Sequence, residues 1–382
     1  MKVGLITFSR ARNYGGMLQA YALYKYFETL GHDVYFIDYI LERSNIYDKK
    51  LFISNTTRKS KFWGKNRILQ YLWGKIYFDN IRNDYLKFSS FIESYCVFSH
   101  KYYSYDELVL DCPKADIYVT GSDQVWNSDY NTNKRLDLPF YLGFTDGYKI
   151  SYASSFGNAN IPEQNKEEVK KYLGQYAKIS VREESGVSLL QELNIDAVET
   201  IDPTLLWDNS FWDKIKKEIK TDCKYLLLYQ VKFDDNIYNL AKIIAKKKKL
   251  KLRIITMNRN ELRKYKDEVL VTPEVGEWIS YIENAELVFT DSFHATVFSI
   301  LYNKEFIVNS ASRKEMAGRI TGLLKKLDLN SREMCDFEEE TIDGILNAVI
   351  NWEIVNEKLD IKRKESRKWL ELAVSESEYH DK

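Results

Sequence analysis

Val3-Gly4-Leu5-Ile6-Thr7-Phe8 opens the chain with an apolar run that has no alternating polar face, followed by Ser9-Arg10-Ala11-Arg12-Asn13-Tyr14-Gly15-Gly16. A short continuous run of this kind suits a strand buried on both sides, as in a parallel sheet. Helix-period apolar residues then extend from Met17 to Leu30, with Gly31 at the C′ position and Asp33 to Tyr39 as the next strand. Strand, helix and strand in that order predict a βαβ unit with parallel strands and a right-handed crossover.

The same alternation continues outward. Further strands are predicted at about 116–120, 149–154, 178–181 and 197–201, with a helix at about 183–193. After Asp202-Pro203 the pattern restarts, with strands near 225–231, 251–257, 268–272, 286–290 and 305–309 and helices near 236–248, 276–284, 293–303 and 314–327. The fold class expected is therefore α/β, with two tandem doubly wound, Rossmann-like domains at 1–205 and 206–340. A helical extension at 341–382 is expected to return to the first domain. Ligands of open α/β sheets bind beyond the carboxyl ends of the strands, so the cleft between the domains is the expected site.

Residues 49–95 interrupt the alternation with a basic and aromatic insertion that includes Lys59, Lys61, Phe62, Trp63, Lys65, Arg67, Tyr71, Trp73, Lys75, Tyr77 and Phe78. One reading is a lid or an amphipathic surface for an anionic, lipid-linked substrate. The competing reading is a pair of helices whose aromatics form a small core.

Bulk properties narrow the function. A chain of 382 residues is long enough for two cores, and five prolines are too few for long disordered linkers. Balanced charge, 56 basic against 56 acidic residues, lacks the signature of a general nucleic-acid binder. Cys96, Cys112, Cys223 and Cys335 form no C-x-x-C pair, so a disulfide framework or zinc knuckle is not expected and the reducing cytoplasm fits best. No stretch approaches 18 apolar residues, so the expectation is a soluble protein, associated at most peripherally with the inner face of a membrane.

Residues placed just after predicted strands are the candidates for chemistry. In Thr290-Asp291-Ser292-Phe293-His294, Asp291 or Ser292 can cap a helix whose first turn carries His294. The free N–H groups and the macrodipole there favour an anion, and the imidazole can exchange a proton with it near neutral pH. Of four histidines only His294 occupies such a position. Arg182 follows another strand, where its planar fork suits a carboxylate or phosphate and is expected to point into the same cleft; a plain ion pair with Glu183 or Asp202 is the alternative.

Asn13, Gly15 and Gly16 lie where a ligand can approach the backbone, although neither G-x-G-x-x-G nor G-x-x-x-x-G-K-[ST] is present. Ser122, Asp123, Gln124 and Trp126 form a post-strand turn suited to hydrogen-bonding a sugar and stacking on it, or simply a structural turn. No metal motif is found, and no metal or cofactor is expected.

These residues together resemble the polysaccharide pyruvyl transferase family. The resemblance runs from Asn13-Tyr14-Gly15 and Leu18-Gln19-Ala20-Tyr21-Ala22-Leu23, through Gly121-Ser122-Asp123-Gln124-Val125-Trp126-Asn127 and Ser180-Val181-Arg182-Glu183, to Asp202-Pro203 and Thr290-Asp291-Ser292-Phe293-His294. It implies a fold similar to two-domain GT-B glycosyltransferases. It also implies a small-molecule donor, phosphoenolpyruvate, and a glycan or lipid-linked sugar acceptor whose two hydroxyls become a pyruvate ketal. On that resemblance Arg182 holds the donor's phosphate or carboxylate, and His294 transfers a proton or contacts the phosphate. Many members resemble Arg-Leu-His where this chain has Ser292-Phe293-His294, so an anion-binding arginine is missing, with Arg313 or Arg319 as candidate replacements. Two alternatives stand beside this reading: a GT-B-like glycosyltransferase using a nucleotide sugar, and an inactive scaffold in glycan assembly.

Overall fold

The computed structural model describes residues 1–379 apart from 59, 159, 233, 258–264, 266, 311–313 and 335–338. Two all-parallel sheets form among these residues. The first contains β1 (Lys2–Ile6), β2 (Asp33–Tyr39), β3 (Phe98–Tyr102), β4 (Ile117–Thr120), β5 (Lys149–Ser154), β6 (Lys178–Val181) and β7 (Val198–Glu199), in the order β3-β2-β1-β4-β5-β6-β7. The second contains β8 (Tyr225–Tyr229), β9 (Lys251–Thr256), β10 (Glu268–Val271), β11 (Leu287–Thr290), β12 (Phe306–Asn309) and β13 (Glu333–Met334), in the order β10-β9-β8-β11-β12-β13.

In each sheet the strand order reverses between two central strands, β1 and β4 in one and β8 and β11 in the other. Such a reversal splays the connecting loops apart and leaves a crevice at the strands' carboxyl ends. Central strands β4, β5, β8, β11 and β12 are buried along their whole length, as helices on both faces of a parallel sheet require. The edge strands β3 and β13 were not expected. Phe98-Ser99-His100-Lys101-Tyr102 is half polar because only one side of it pairs, so it carries no apolar run to read.

The first helix, Tyr14–Thr29, begins three residues before the apolar run because Asn13 caps it, its Oδ1 accepting from the N–H groups of Gly15 and Gly16. Gly31 sits beyond its end with φ +82°, a left-handed conformation that glycine adopts without strain. This helix joins the two sheets. Tyr14 stacks on Trp278 at 5.1 Å and its hydroxyl donates to the Pro273 carbonyl at 2.6 Å, so one continuous apolar cluster runs from β1 to β12. The C-terminal helix, Trp352–Ser375, crosses back onto the first domain: Arg363 Nε donates to the Leu205 carbonyl at 2.9 Å and Tyr26 donates to Glu371 at 2.8 Å.

The insertion folds as helices Lys49–Thr57, Arg67–Trp73 and Asp79–Tyr95, the last two joined through a π-helical turn at Gly74–Phe78. Phe52, Trp73 and Phe78 with Ile46 make its small core, so packing accounts for those aromatics. Lys59 lies outside the described residues. Other apolar side chains of the insertion remain in solvent.

Candidate active site

The two sheet reversals face each other, and His294 stands where they meet. Its helix, Phe293–Leu301, follows β11 directly; Ser292 is the N-cap and accepts from the Ala295 N–H at 3.3 Å. Asp291, the other expected cap, turns away and accepts from the Val231 N–H at 2.7 Å in the loop after β8. That division secures both loops of the second crevice. His294 thus begins a helix aimed at the N-terminus of the first helix.

Contact between these two helix starts is close. A methyl group on Gly15 would lie 1.9 Å from His294 Nδ1, so the glycine is required by the imidazole. The opening at Gly15 that suggested ligand access to the backbone is filled instead by a side chain of the other domain. Gly16 is under no such constraint: the nearest atom to a Cβ there is Asp123 Oδ2 at 3.5 Å, an ordinary contact distance.

The other imidazole nitrogen, Nε2, is buried and lies 3.4 Å from Asp202 Oδ2, an ion contact without hydrogen-bond alignment. Asp202 follows β7 and is the hub behind the site. Its Oδ2 also accepts from Arg182 Nη1 at 2.8 Å and from the Ser122 hydroxyl at 3.5 Å, and its Oδ1 from the Thr204 N–H at 3.0 Å and hydroxyl at 2.6 Å. Burial opposes the charge, yet His294, Arg182 and Thr204 outweigh it and hold the carboxyl well below the usual carboxylate range. For Arg182 burial likewise opposes the charge, and Asp202, Asp123 and Glu183 together raise its pKa.

Two cavities flank this core. One, of about 420 Å³, is lined by His294, Ser292, Asn13, Asp123, Gln124 and Arg319, together with Arg10, Arg12 and Arg43 and the rings of Phe8, Tyr39 and Tyr130. Its charged lining beside the histidine is therefore four guanidiniums and one carboxylate. The second, about 650 Å³, lies between the end of the first sheet and the C-terminal helix, with Arg182, Glu183, Glu199, Lys326 and Trp369 in its wall. Phe293 and Arg319 line both.

Arg182 therefore does not share the His294 cavity; Asp202 stands between them because it pairs with both. The ion-pair alternative describes its Nη1, while Nε and Nη2 make no hydrogen bond and keep only longer ion contacts, 3.9 Å to Glu183 and 3.7 Å to Asp123. The guanidinium also rests 5.0 Å from the centre of the Phe293 ring. Of the arginines expected at the site, Arg319 does reach His294's cavity. With the Gln124 amide oxygen turned toward it, that oxygen accepts from Arg319 Nη2 at 2.6 Å and Nη1 at 3.2 Å, while Nε has no partner. Burial, then the neighbouring Arg182 charge, lower its pKa to about 10, against Glu183 and Asp123. Arg313 lies outside the described residues.

The turn after β4 divides between site and core. Asp123 and Gln124 line the cavity, and Asp123 holds φ +75° to do so. Ser122 is fully buried against Asp202 and the Ala153 carbonyl. Trp126 is no stacking platform: it is 2% exposed, packed on Tyr141 and Phe156, with its indole N–H donating to the Phe140 carbonyl at 3.0 Å. Asp202, Arg10, Arg12 and Arg43 were missed as site residues. An acid directly after a strand and two arginines in the first post-strand loop were the signals available. Among the described residues no cluster of three His, Cys, Asp or Glu side chains could hold a metal ion.

Two parallel αβα domains facing across such a cleft define a GT-B-type fold. Among solved structures, the UDP-N-acetylglucosamine 2-epimerase of Rickettsia bellii is similar in fold, with a TM-score of 0.54 at 12% identity, covering 99% of this chain and 97% of that one. The UDP-GlcNAc 2-epimerase of Neisseria meningitidis gives 0.51 at 11%, covering 98% and 100%. No curated protein sequence matches this chain. The model of the polysaccharide pyruvyl transferase family matches residues 13–310, and the chain belongs to that family. It is accordingly a transferase.

Proposed function

We propose that this transferase takes phosphoenolpyruvate as donor and joins its three-carbon unit to two hydroxyls of one sugar, giving a pyruvate ketal on a precursor of a surface polysaccharide. The observation that carries this is His294 beside a cavity lined by four arginines, of which Arg10, Arg12 and Arg43 are paired with Asp38, Asp84 and Asp137 while the Arg319 Nε has no partner and is suited to a small anionic donor. With Nε2 against Asp202, the proton is exchanged through Nδ1, the edge of the ring that also packs over Gly15.

In the proposed reaction the imidazolium gives a proton to the methylene carbon of the enol, and the central carbon gains oxocarbenium character. One sugar hydroxyl adds there and loses its proton to the imidazole. The C–O bond to phosphate then breaks, and the second hydroxyl adds as its proton goes to the departing phosphate. The products are the ketal and one inorganic phosphate. Arg319, with its unpartnered Nε, holds the donor's phosphate or carboxylate, in the role otherwise expected of an arginine at Ser292. Arg182 acts through Asp202 as a positioning residue. The aromatic wall of Phe8, Tyr39 and Tyr130 takes the acceptor, a glycan or lipid-linked sugar presented on the cytoplasmic side.

The test is acceptor-dependent phosphate release from phosphoenolpyruvate across a panel of glycosides, with the ketal identified in the product. His294→Ala should lower turnover by at least about 100-fold, as expected for loss of a proton-transfer group. Arg319→Ala should raise the donor KM by tenfold or more, about the worth of one charge-assisted bond. Consumption of a nucleotide sugar, with no phosphate released from phosphoenolpyruvate by any acceptor, rejects the proposal.

A further inference from the structure

Charge is balanced over the whole chain, yet residues 49–78 carry eight lysine and arginine side chains and no aspartate or glutamate. A segment this one-sided creates a local positive field that the net charge conceals. In the same segment Phe62, Ile68, Tyr71, Leu72 and Ile76 are between 43% and 72% exposed. Scattered apolar residues on a surface need no explanation, but these are not scattered.

Ile68, Tyr71, Leu72 and Ile76 follow one another at the spacing of a single helical stripe along Arg67–Trp73 and the π turn after it. Trp73 and Phe78 of the same run face inward, in the small core with Phe52 and Ile46. The helix is thus apolar on two faces, only one of which the protein covers. Lys61, Lys65, Arg67 and Lys75 are exposed around the uncovered face, and the Lys75 ammonium sits 5.0 Å above the Tyr71 ring. An apolar stripe rimmed by cations and free of acids matches the boundary between acyl chains and anionic headgroups.

We infer that residues 61–76 form a docking surface for an anionic phospholipid bilayer, seating the enzyme on the membrane with its acceptor cavity beside the lipid. The position of the insertion supports this, because Ile46, which completes its core, and Tyr85, which packs against that core, both line the cavity that His294 faces. The inference deepens the proposed function by making the acceptor a lipid-linked sugar, but docking itself needs neither donor nor acceptor.

The full-length protein is sedimented with vesicles of phosphatidylcholine alone or mixed with phosphatidylglycerol. Binding is expected only to the anionic mixture, falling as salt is raised. Lys65→Glu with Arg67→Glu should weaken partitioning by roughly fivefold or more for each charge, and Ile68→Ser with Leu72→Ser by at least tenfold. Circular dichroism melts matching the unsubstituted protein show that both variants remain folded, since none of the four side chains is in the core. The inference is overturned by absence of binding to anionic vesicles at low salt, by equal binding to both compositions, or by variants that bind like the parent. Binding to duplex DNA in place of vesicles would overturn it in favour of a polyanion site. Phosphate release on a soluble glycoside is measured separately: its loss rejects pyruvyl transfer and leaves docking intact, and the converse holds as well.

Discussion

At the scale of single residues, Asp202 decides how the site is held. It is fully buried, yet it binds the imidazole and the Arg182 guanidinium through one oxygen and Thr204 through the other. Because its folded pKa is depressed, its contribution to stability is present above the unfolded carboxylate value of about 3.9 and is lost as pH falls below that range. Asp202→Asn should therefore flatten the acid limb of the stability curve, measured as denaturant midpoint against pH, and lower stability at neutral pH by about 1.5–3 kcal/mol, since Arg182 loses its charge-assisted hydrogen bond and keeps only the longer ion contacts to Asp123 and Glu183. An acid limb identical in the two proteins would remove Asp202 from this role. His294 was legible from sequence because a histidine right after a buried run and a capping serine needs no distant information. Asp202 was visible only as an acid before a proline, since its partners are contributed from 20 and 92 positions further back and forward along the chain.

Among elements, the decisive contact is between two helix starts, that of Tyr14–Thr29 and that of Phe293–Leu301. Gly15 lies in a helix, where alanine would ordinarily gain about 1 kcal/mol in propensity. Here the added methyl meets His294 Nδ1 at 1.9 Å, and overpacking costs about 1–3 kcal/mol. Gly15→Ala should lower the melting temperature, the clash outweighing the propensity gain that a first-turn position offers, while displacing the imidazole and lowering turnover by about 100-fold. Gly16→Ala, whose nearest neighbour is 3.5 Å away, should retain most activity. Equal activity of the two variants would show that the contact does not position the histidine. Helices announced themselves through their periodicity and central strands through unbroken apolar runs. The edge strand Phe98–Tyr102 did not, because an edge is asked to be apolar on fewer sides.

For the molecule as a whole, the C-terminal helix fastens the end of the chain to its beginning. Val355, Leu359, Leu370, Ala373 and Val374 are buried in the cluster that also holds β1 and the first helix. Burial of each larger side chain is worth about 1.5–3 kcal/mol, so their sum is comparable to a whole domain's stability of about 5–15 kcal/mol. Deletion of residues 352–382 should abolish cooperative unfolding or leave the protein insoluble. A truncated chain melting at the parent temperature would contradict this.

The sequence by itself determined two parallel αβ units, the place of His294 after a strand, and membership of a family whose motifs span both units. These follow from local periodicity and from residues adjacent in the chain. Tertiary structure alone decided that Arg182 and His294 meet through Asp202 rather than in one cavity, that Arg319 rather than Arg182 reaches the histidine's cavity, and that Trp126 is core while Ile68 and Leu72 are surface. Each of these depends on which loops two facing sheets bring together, and burial is a property of that arrangement rather than of residue type.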